Sequence, residues 1–76
     1  METKKIQNRL KRIEGQIRGV EEMISVLRPV DDIIIQLSAI RSAVDSLLIG
    51  MVEEEIETAD RQRFLELRRT IKRMLR

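Results

Sequence analysis

The segment from residue 30 to residue 56 constrains the fold most, because as a helix it would be apolar on more than one side. A helix that is apolar nearly all round must be covered nearly all round. The chain has only 76 residues, so one partner helix from the same chain cannot provide that cover, and we expect self-association. The apolar residues are Ile33, Ile34, Ile35, Leu37, Ile40, Ala43, Val44, Leu47, Leu48, Ile49, Met51 and Val52.

A first helix is predicted over residues 4–27, where apolar residues follow a heptad-like spacing along one stripe. Pro29 interrupts this pattern, because it disfavours helical geometry in the residue before it and suits the first position of a new helix. The second helix is therefore predicted over residues 29–57. Asp31 and Asp32 fall in its first turn, where negative charge complements the helix dipole.

A third, shorter helix is predicted over residues 61–75, with Asp60 as its N-cap. The short connections make the two long helices an antiparallel hairpin, and residues 1–76 a single domain. The predicted fold is therefore all-α: a long hairpin and a short third helix, dimerising into a four-helix bundle with apolar surface left for a dimer of dimers.

The amino-acid composition excludes the common catalytic and metal-binding sites that depend on cysteine or histidine. The chain has no cysteine and no histidine, which removes disulfides, thiolate metal sites, a Cys nucleophile and the commonest general base. No apolar run reaches the roughly 18 residues of a membrane span, and the first residues lack the apolar segment of a secretory signal. We therefore expect a cytoplasmic protein without a membrane partner.

The net charge of +2 conceals a segregation of charge along the chain. Residues 1–20 carry six Lys/Arg against two Asp/Glu, residues 21–60 carry two against ten, and residues 61–76 carry seven against one. Basic segments at both ends can contact phosphate groups or fold back on the acidic centre, and we expect both.

Residues Asn8 to Gly19, NRLKRIEGQIRG, combine an apolar stripe with an exposed basic side. At about 100° per residue, Gly15 and Gly19 fall opposite the stripe, beside Lys11 and Arg12. Glycine costs a helix interior about 1 kcal/mol relative to alanine, so an exposed pair needs a reason. The glycines are either tolerated surface residues or a place where a sugar-phosphate strand comes close. The basic neighbours favour nucleic acid.

The strings RLKRIEGQIRG and QLSAIRSA, at their proper separation, resemble the copper-sensitive operon repressor family of metal-sensitive transcriptional repressors. This family also includes nickel/cobalt, formaldehyde and persulfide sensors, and the resemblance covers residues 6–59. It implies an all-helical tetrameric repressor without a helix-turn-helix, whose disc-shaped assembly binds operator DNA and releases it when an effector binds. The family's short third helix matches the basic segment from Asp60 onward.

The sequence departs from this family where metal-sensing members bind their metal. Those members carry a Cys near the start of the second helix and a His and a second Cys near its end, and the matching positions here are Val30, Glu55 and Ala59. Val and Ala offer no donor atom, and a lone carboxylate is a poor Cu(I) ligand. Val30 also removes the Cys nucleophile of the formaldehyde and sulfur sensors. We therefore expect no bound cofactor and no soft-metal sensing.

Two further family positions differ: a common Tyr is replaced by Pro29, and a basic residue in the second helix by Ser46. The predicted partners are nevertheless double-stranded operator DNA and further copies of the chain. The residues that match the family and are suited to phosphate contact, or in the case of glutamine also to a base edge, are Arg9, Lys11, Arg12, Gln16, Arg18 and Arg41. Without the family motif, an ordinary solvated basic face would be the default interpretation.

Four glutamates crowd the end of the second helix, where the helix dipole disfavours negative charge. A hard divalent cation could bind there, with Asp31 and Asp32 of a neighbouring protomer. We favour neutralisation by arginines of the third helix. The acidic residues are Glu53, Glu54, Glu55 and Glu57, and the arginines are Arg61, Arg63, Arg68 and Arg69.

Two other functions compete with a DNA-binding repressor. The missing ligands and Ser46 also fit a protein that acts only through protein contacts, in mixed oligomers with a ligand-bearing paralogue. An enzyme such as a small all-helical chorismate mutase would need inward-facing basic and polar groups, and Arg41 alone among the basic residues lies within the apolar stretch. We expect a protein that is not an enzyme.

Overall fold

The chain folds into three helices, α1 (Thr3–Ser25), α2 (Val30–Thr58) and α3 (Arg61–Met74). The computed structural model describes residues 1–75, and no strand occurs within them. The prediction of an all-α fold with two long helices and a short third one is therefore confirmed. Association into a four-helix bundle and a dimer of dimers stays a prediction.

The helices α1 and α2 form an antiparallel hairpin. Near the open end of the hairpin, the Met1 amino group forms an ion pair with Glu54, and Arg9 donates a hydrogen bond to Ser46. Between this end and the connecting loop, apolar side chains of both helices form the core of the hairpin. These core residues are Ile13, Val20, Ile40 and Leu47.

The connection between α1 and α2 differs from the prediction by one or two residues at each side. Leu27 adopts a left-handed conformation with φ of 57°, and the Arg28 N–H donates to the Met23 carbonyl at 2.9 Å. This is a Schellman-type ending, and it stops α1 at Ser25. Pro29, with ψ of 141°, is the N-cap of α2 rather than its first helical residue.

Two polar contacts hold the start of the third helix. The Asp60 side chain accepts a hydrogen bond from the Arg63 backbone N–H at 2.8 Å, as the predicted N-cap should. The Arg63 side chain reaches back to Glu55 of α2 at 3.1 Å. The apolar side of α3 then packs against α2, which leaves Leu67 only 7% exposed.

The three helices lie in a single layer. Helix α2 contacts both α1 and α3, whereas α1 and α3 do not contact each other within residues 1–75. The overall dimensions are 51 × 30 × 13 Å, and the smallest is close to the thickness of one helix with its side chains, about 10–12 Å. Both faces of the layer are therefore open.

One face of the hairpin is apolar. Each of the two long helices carries a second row of apolar residues spaced by seven. At about 100° per residue, this row lies about 50° around the helix axis from the buried core residues, in the same direction of rotation on α1 and α2. Because the helices are antiparallel, this rotation leads to one common face, which we call the apolar face. It consists of Leu10, Ile17, Ile24, Leu37, Val44 and Met51, each 42–56% exposed. The opposite face is mainly polar, with Ile49 as an exposed apolar residue, and we call it the polar face. It carries Arg9, Arg12, Gln16, Ser42, Asp45, Ser46 and Glu53.

Helix α2 is also long and apolar enough to cross a membrane, judged by length and composition alone. The sequence-based exclusion of a membrane span was therefore too strong on this criterion. Only 11% of the apolar stretch is buried inside the chain. However, Arg41 and Asp45 lie in the middle of α2, where a bilayer would make charged groups costly.

Replacing Asp60 tests the start of α3. We expect Asp60→Ala to lower the free energy of unfolding by about 1 kcal/mol, because the Arg63 N–H loses its acceptor. Asp60→Asn is the matched control and should stay close to the wild type, since asparagine caps helices as well as aspartate does. Urea denaturation followed by circular dichroism measures both, and equal stability of the two variants would contradict the role assigned to the cap.

Candidate nucleic-acid interface

A shallow groove runs between α1 and α2 on the polar face. It contains three of the residues predicted to bind DNA, and they are contributed by successive turns of α1. The groove is lined by Arg9, Arg12, Ile13, Gln16, Ala43 and Ser46. Its floor is apolar and its α1 wall carries the cationic and amide groups, which is an arrangement suited to holding an anionic chain at the surface.

Arg9 is the most constrained of these side chains. It is partly buried, its Nη2 donates to Ser46 Oγ at 3.0 Å, and its Nη1 lies 3.6 Å from Met1 Sδ. A guanidinium group has five N–H donors, so these two contacts orient the group and leave other donors available. Sequence reasoning treated Ser46 only as a missing basic residue, although the antiparallel pairing of the hairpin would have placed it opposite Arg9.

Two further predicted residues, Lys11 and Arg18, lie outside the groove. They occupy the outer edge of α1, on the side away from α2, where Lys4 joins them at the same seven-residue spacing. All three are exposed, and none forms an ion pair with an Asp or Glu of the described residues 1–75. The outer edge is therefore a second row of available positive charge on α1.

The two glycines lie between these rows. At about 100° per residue, Gly15 and Gly19 fall between Lys11 on the outer edge and Arg12 at the groove. A Cβ atom added to either glycine would meet nothing within 4 Å. Packing within the chain therefore does not require glycine at either position, and the exposed helix backbone there is open to close approach from outside.

The sixth predicted residue, Arg41, is not brought to this site. It is exposed on α2, about 140° around the helix from Ser46, so it points away from the groove and toward the apolar-face side. The structure therefore gathers Arg9, Arg12 and Gln16, places Lys11 and Arg18 beside them, and separates Arg41 from all five.

The acidic end of α2 is only partly neutralised by α3. Arg63 donates to Glu55 at 3.1 Å and to Glu66 at 3.4 Å. The hydrogen bond to Glu55, followed by its charge, raises the pKa of Arg63 above its ordinary value. The other arginines expected to neutralise this end, Arg61, Arg68 and Arg69, form no ion pair with a carboxylate of residues 1–75.

The residues that the sequence resemblance aligns with metal ligands do not fit a soft metal ion. Val30 and Ala59 have no donor atoms, and Glu55 is engaged by Arg63. The hard-cation alternative also lacks a gathered ligand set, because no three carboxylates come together among the residues that the structure describes. The glutamates at the end of α2 instead project in different directions, and Glu54 pairs with the Met1 amino group.

Comparisons with known proteins agree with the sequence motifs. The family model described as metal-sensitive transcriptional repressor matches residues 2–76. The copper-sensing transcriptional repressor CsoR of Bacillus subtilis (strain 168) is 42% identical over 53 residues, which are 70% of this chain and 52% of that protein.

A second relative is the copper-sensing transcriptional repressor RicR of Mycobacterium tuberculosis (strain ATCC 25618 / H37Rv). It is 38% identical over 48 residues, which are 63% of this chain and 50% of that protein. The chain thus spans about half the length of the curated relatives it matches. No solved structure matches this chain.

Proposed function

Because the chain belongs to the metal-sensitive transcriptional repressor family, we propose that it is a cytoplasmic regulator that binds double-stranded operator DNA through the cationic side of α1. The observation that supports this most is the pair of cationic rows that flank two exposed glycines. Their positive charges have no carboxylate partners within residues 1–75. Phosphate groups that approach the glycine backbone can contact both rows at once.

The two relatives are named for copper sensing, and we propose that this chain does not share that property. A soft metal needs thiolate or imidazole donors, and the chain has neither cysteine nor histidine. The Glu55–Arg63 ion pair occupies the remaining family position with a fixed internal contact. A regulator of this kind would respond to a different effector or bind its operator constitutively.

We further propose that the apolar face is covered by a second copy of the chain. Six heptad-spaced apolar side chains on two antiparallel helices are the pattern that forms a four-helix bundle by isologous pairing. Such pairing leaves the polar face and the outer edge of α1 exposed on both sides of the dimer. The assembly then carries one such cationic surface for each protomer.

An enzymatic function finds no support in the interior of the chain. The buried side chains of residues 1–75 are all apolar, and none is polar or charged. Arg41, the basic residue that a helical mutase would need inside the bundle, is exposed in the single chain.

The first prediction concerns Arg12, which lines the groove and forms no ion pair with a carboxylate of residues 1–75. We expect Arg12→Ala to weaken binding to operator and scrambled duplexes alike and to lower the magnitude of the salt slope by about 1, because a phosphate contact is lost. Arg28→Ala removes the same charge at the hairpin loop, where Arg28 pairs with Asp32 at 2.9 Å, and should leave the slope unchanged. Fluorescence anisotropy across a salt series measures both, and an unchanged slope for Arg12→Ala would refute the assignment.

The second prediction is that replacing the two glycines raises the stability of the protein but weakens its binding to DNA. We expect the double substitution Gly15→Ala and Gly19→Ala to raise the free energy of unfolding by about 0.5–1 kcal/mol per site, because alanine is the better helix former and nothing obstructs the added carbon. The same protein should bind DNA more weakly, since two methyl groups then stand where the backbone of the duplex approaches. Unaltered DNA affinity in the stabilised protein would argue for ordinary surface glycines.

The third prediction tests the apolar face. We expect Val44→Glu to dissociate the assembly, because it would place a carboxylate within a desolvated contact between two copies. Ser42→Glu adds the same charge about 160° around α2, on the polar face, and should leave the dimer intact. Sedimentation velocity distinguishes the species. A wild-type protein that stays monomeric at micromolar concentration would instead favour a mixed oligomer with another protein.

A further inference from the structure

Most positive charges of helix α3 are not paired with a carboxylate of residues 1–75. Arg61–Met74 contains six Lys/Arg residues and one acidic residue, Glu66. Only Arg63 forms an ion pair within residues 1–75. The remaining cations are exposed, although the acidic end of α2 lies directly before this helix. Their charge is therefore available to an external anion.

Because of the way α3 packs against α2, its cationic side chains lie on two different sides of the layer. Arg63 reaches Glu55, which lies on the apolar-face side of α2, about 20° around the helix from Val44. Around α3, the positions of three other cations cluster within about 40° and lie about 140–180° away from Arg63. They therefore project from the polar face. These residues are Arg61, Arg68 and Lys72.

We propose that Arg61, Arg68 and Lys72 form a second phosphate-binding surface, which contacts the same DNA duplex as α1. This inference rests on the proposed DNA-binding function and extends it to three particular residues of α3, where the sequence indicated only that the basic C-terminal segment can contact phosphate groups. The ligand is the phosphodiester backbone, because the three side chains are cationic and no base-reading amide or hydroxyl group accompanies them among the residues of this row.

The position of α3 in the layer sets the spacing between the two surfaces. Helix α2 separates α1 from α3, so two interaxial distances of 8–10 Å place the cationic surfaces about 16–20 Å apart. Between them, Asp45 and Glu53 of α2 line the surface of the polar face beside Arg9. These carboxylates repel phosphate, so the two basic surfaces contact separate stretches of backbone with α2 lying over the space between them.

The apolar side of α3 argues against a membrane surface as the ligand. A basic amphipathic helix binds lipid by burying its apolar face in the interface. Here that face is directed at α2: Leu67 is 7% exposed, and Ile56 and Ile71 lie with it in one apolar groove. Phe64 and Leu65 stay partly exposed, at 46% and 42%, but the most buried part of the apolar side faces α2, and the unpaired cations of α3 are suited to phosphate groups.

The test uses two double variants with the same change in charge on the same helix. Arg68→Gln with Lys72→Gln removes cations from the polar face, and Arg69→Gln with Arg73→Gln removes their chain neighbours, which point about 100° away. Anisotropy of the full-length protein is measured with duplex DNA from upstream of its own gene across a salt series. We expect the first variant to lower the magnitude of the salt slope by about 1 or more, and the second to lower it clearly less.

Long-range attraction between the protein and DNA changes equally in both variants, so a difference in slope reports orientation on α3. Circular dichroism and sedimentation velocity confirm that each variant is folded and associated as the wild type is. Should either double variant lose helix content, the single substitutions Lys72→Gln and Arg73→Gln provide the same comparison.

Three results would overturn the inference. Equal slopes for the two α3 variants, with a lowered slope for Arg12→Ala, would reject the α3 surface while retaining the function proposed for α1. No salt-dependent binding by the wild type would reject the proposed function and the inference with it. Weaker binding of the Arg68/Lys72 variant to phosphatidylserine vesicles, with unchanged binding to DNA, would identify a membrane surface instead.

Discussion

The need to cover α2 is the constraint on which the rest of the molecule depends. Helix α1 covers one side of α2 along its length, and α3 covers the opposite side over its last turns. Both neighbours lie in the same layer, so neither can cover the two faces of that layer. Val44 and Met51 on one face are exposed and apolar, so cover by an apolar partner would stabilise them. Polar side chains on the other face, such as Arg9 and Ser46, are compatible with water and anions. The proposed association and the proposed DNA binding thus fall on different sides of one hairpin.

The sequence was sufficient to predict the helices because their signals are local. Pro29 separates the two long helices, Asp60 caps the third, and heptad spacing marks the side of α1 that faces the core. The positions of Arg41 and Ser46 relative to the site were not predictable in the same way. Helical periodicity gives the angle between two residues on one helix, but the direction of each neighbouring helix depends on how all the apolar surfaces pack together. The six predicted DNA-binding residues therefore separate into a groove, an edge and a distant arginine only after docking.

The end of α2 shows how a family position can be retained in the fold and changed in chemistry. Glu55, which the sequence resemblance aligns with a metal ligand, forms an ion pair with Arg63 of α3. Both side chains are about half exposed, so this pair adds little to stability on its own. The pair accompanies an orientation in which the start of α3 lies toward the apolar-face side and Arg68 and Lys72 lie toward the polar face. Packing of Leu67 against α2 then fixes that orientation.

The flatness of the layer also has a consequence for how folding would depend on the concentration of the protein. No side chain of the described residues is fully buried, and seventeen large apolar side chains are 42–88% exposed in the single chain. In the dimer proposed above, much of the favourable burial would be gained only when two chains meet, and folding would then be a second-order process whose equilibrium shifts with protein concentration. At low copy number the dissociated chain would be open to proteolysis, and near the association constant a small rise in synthesis would give a larger rise in functional assemblies. Expression level itself would then act as an input to the regulator, before any effector is bound.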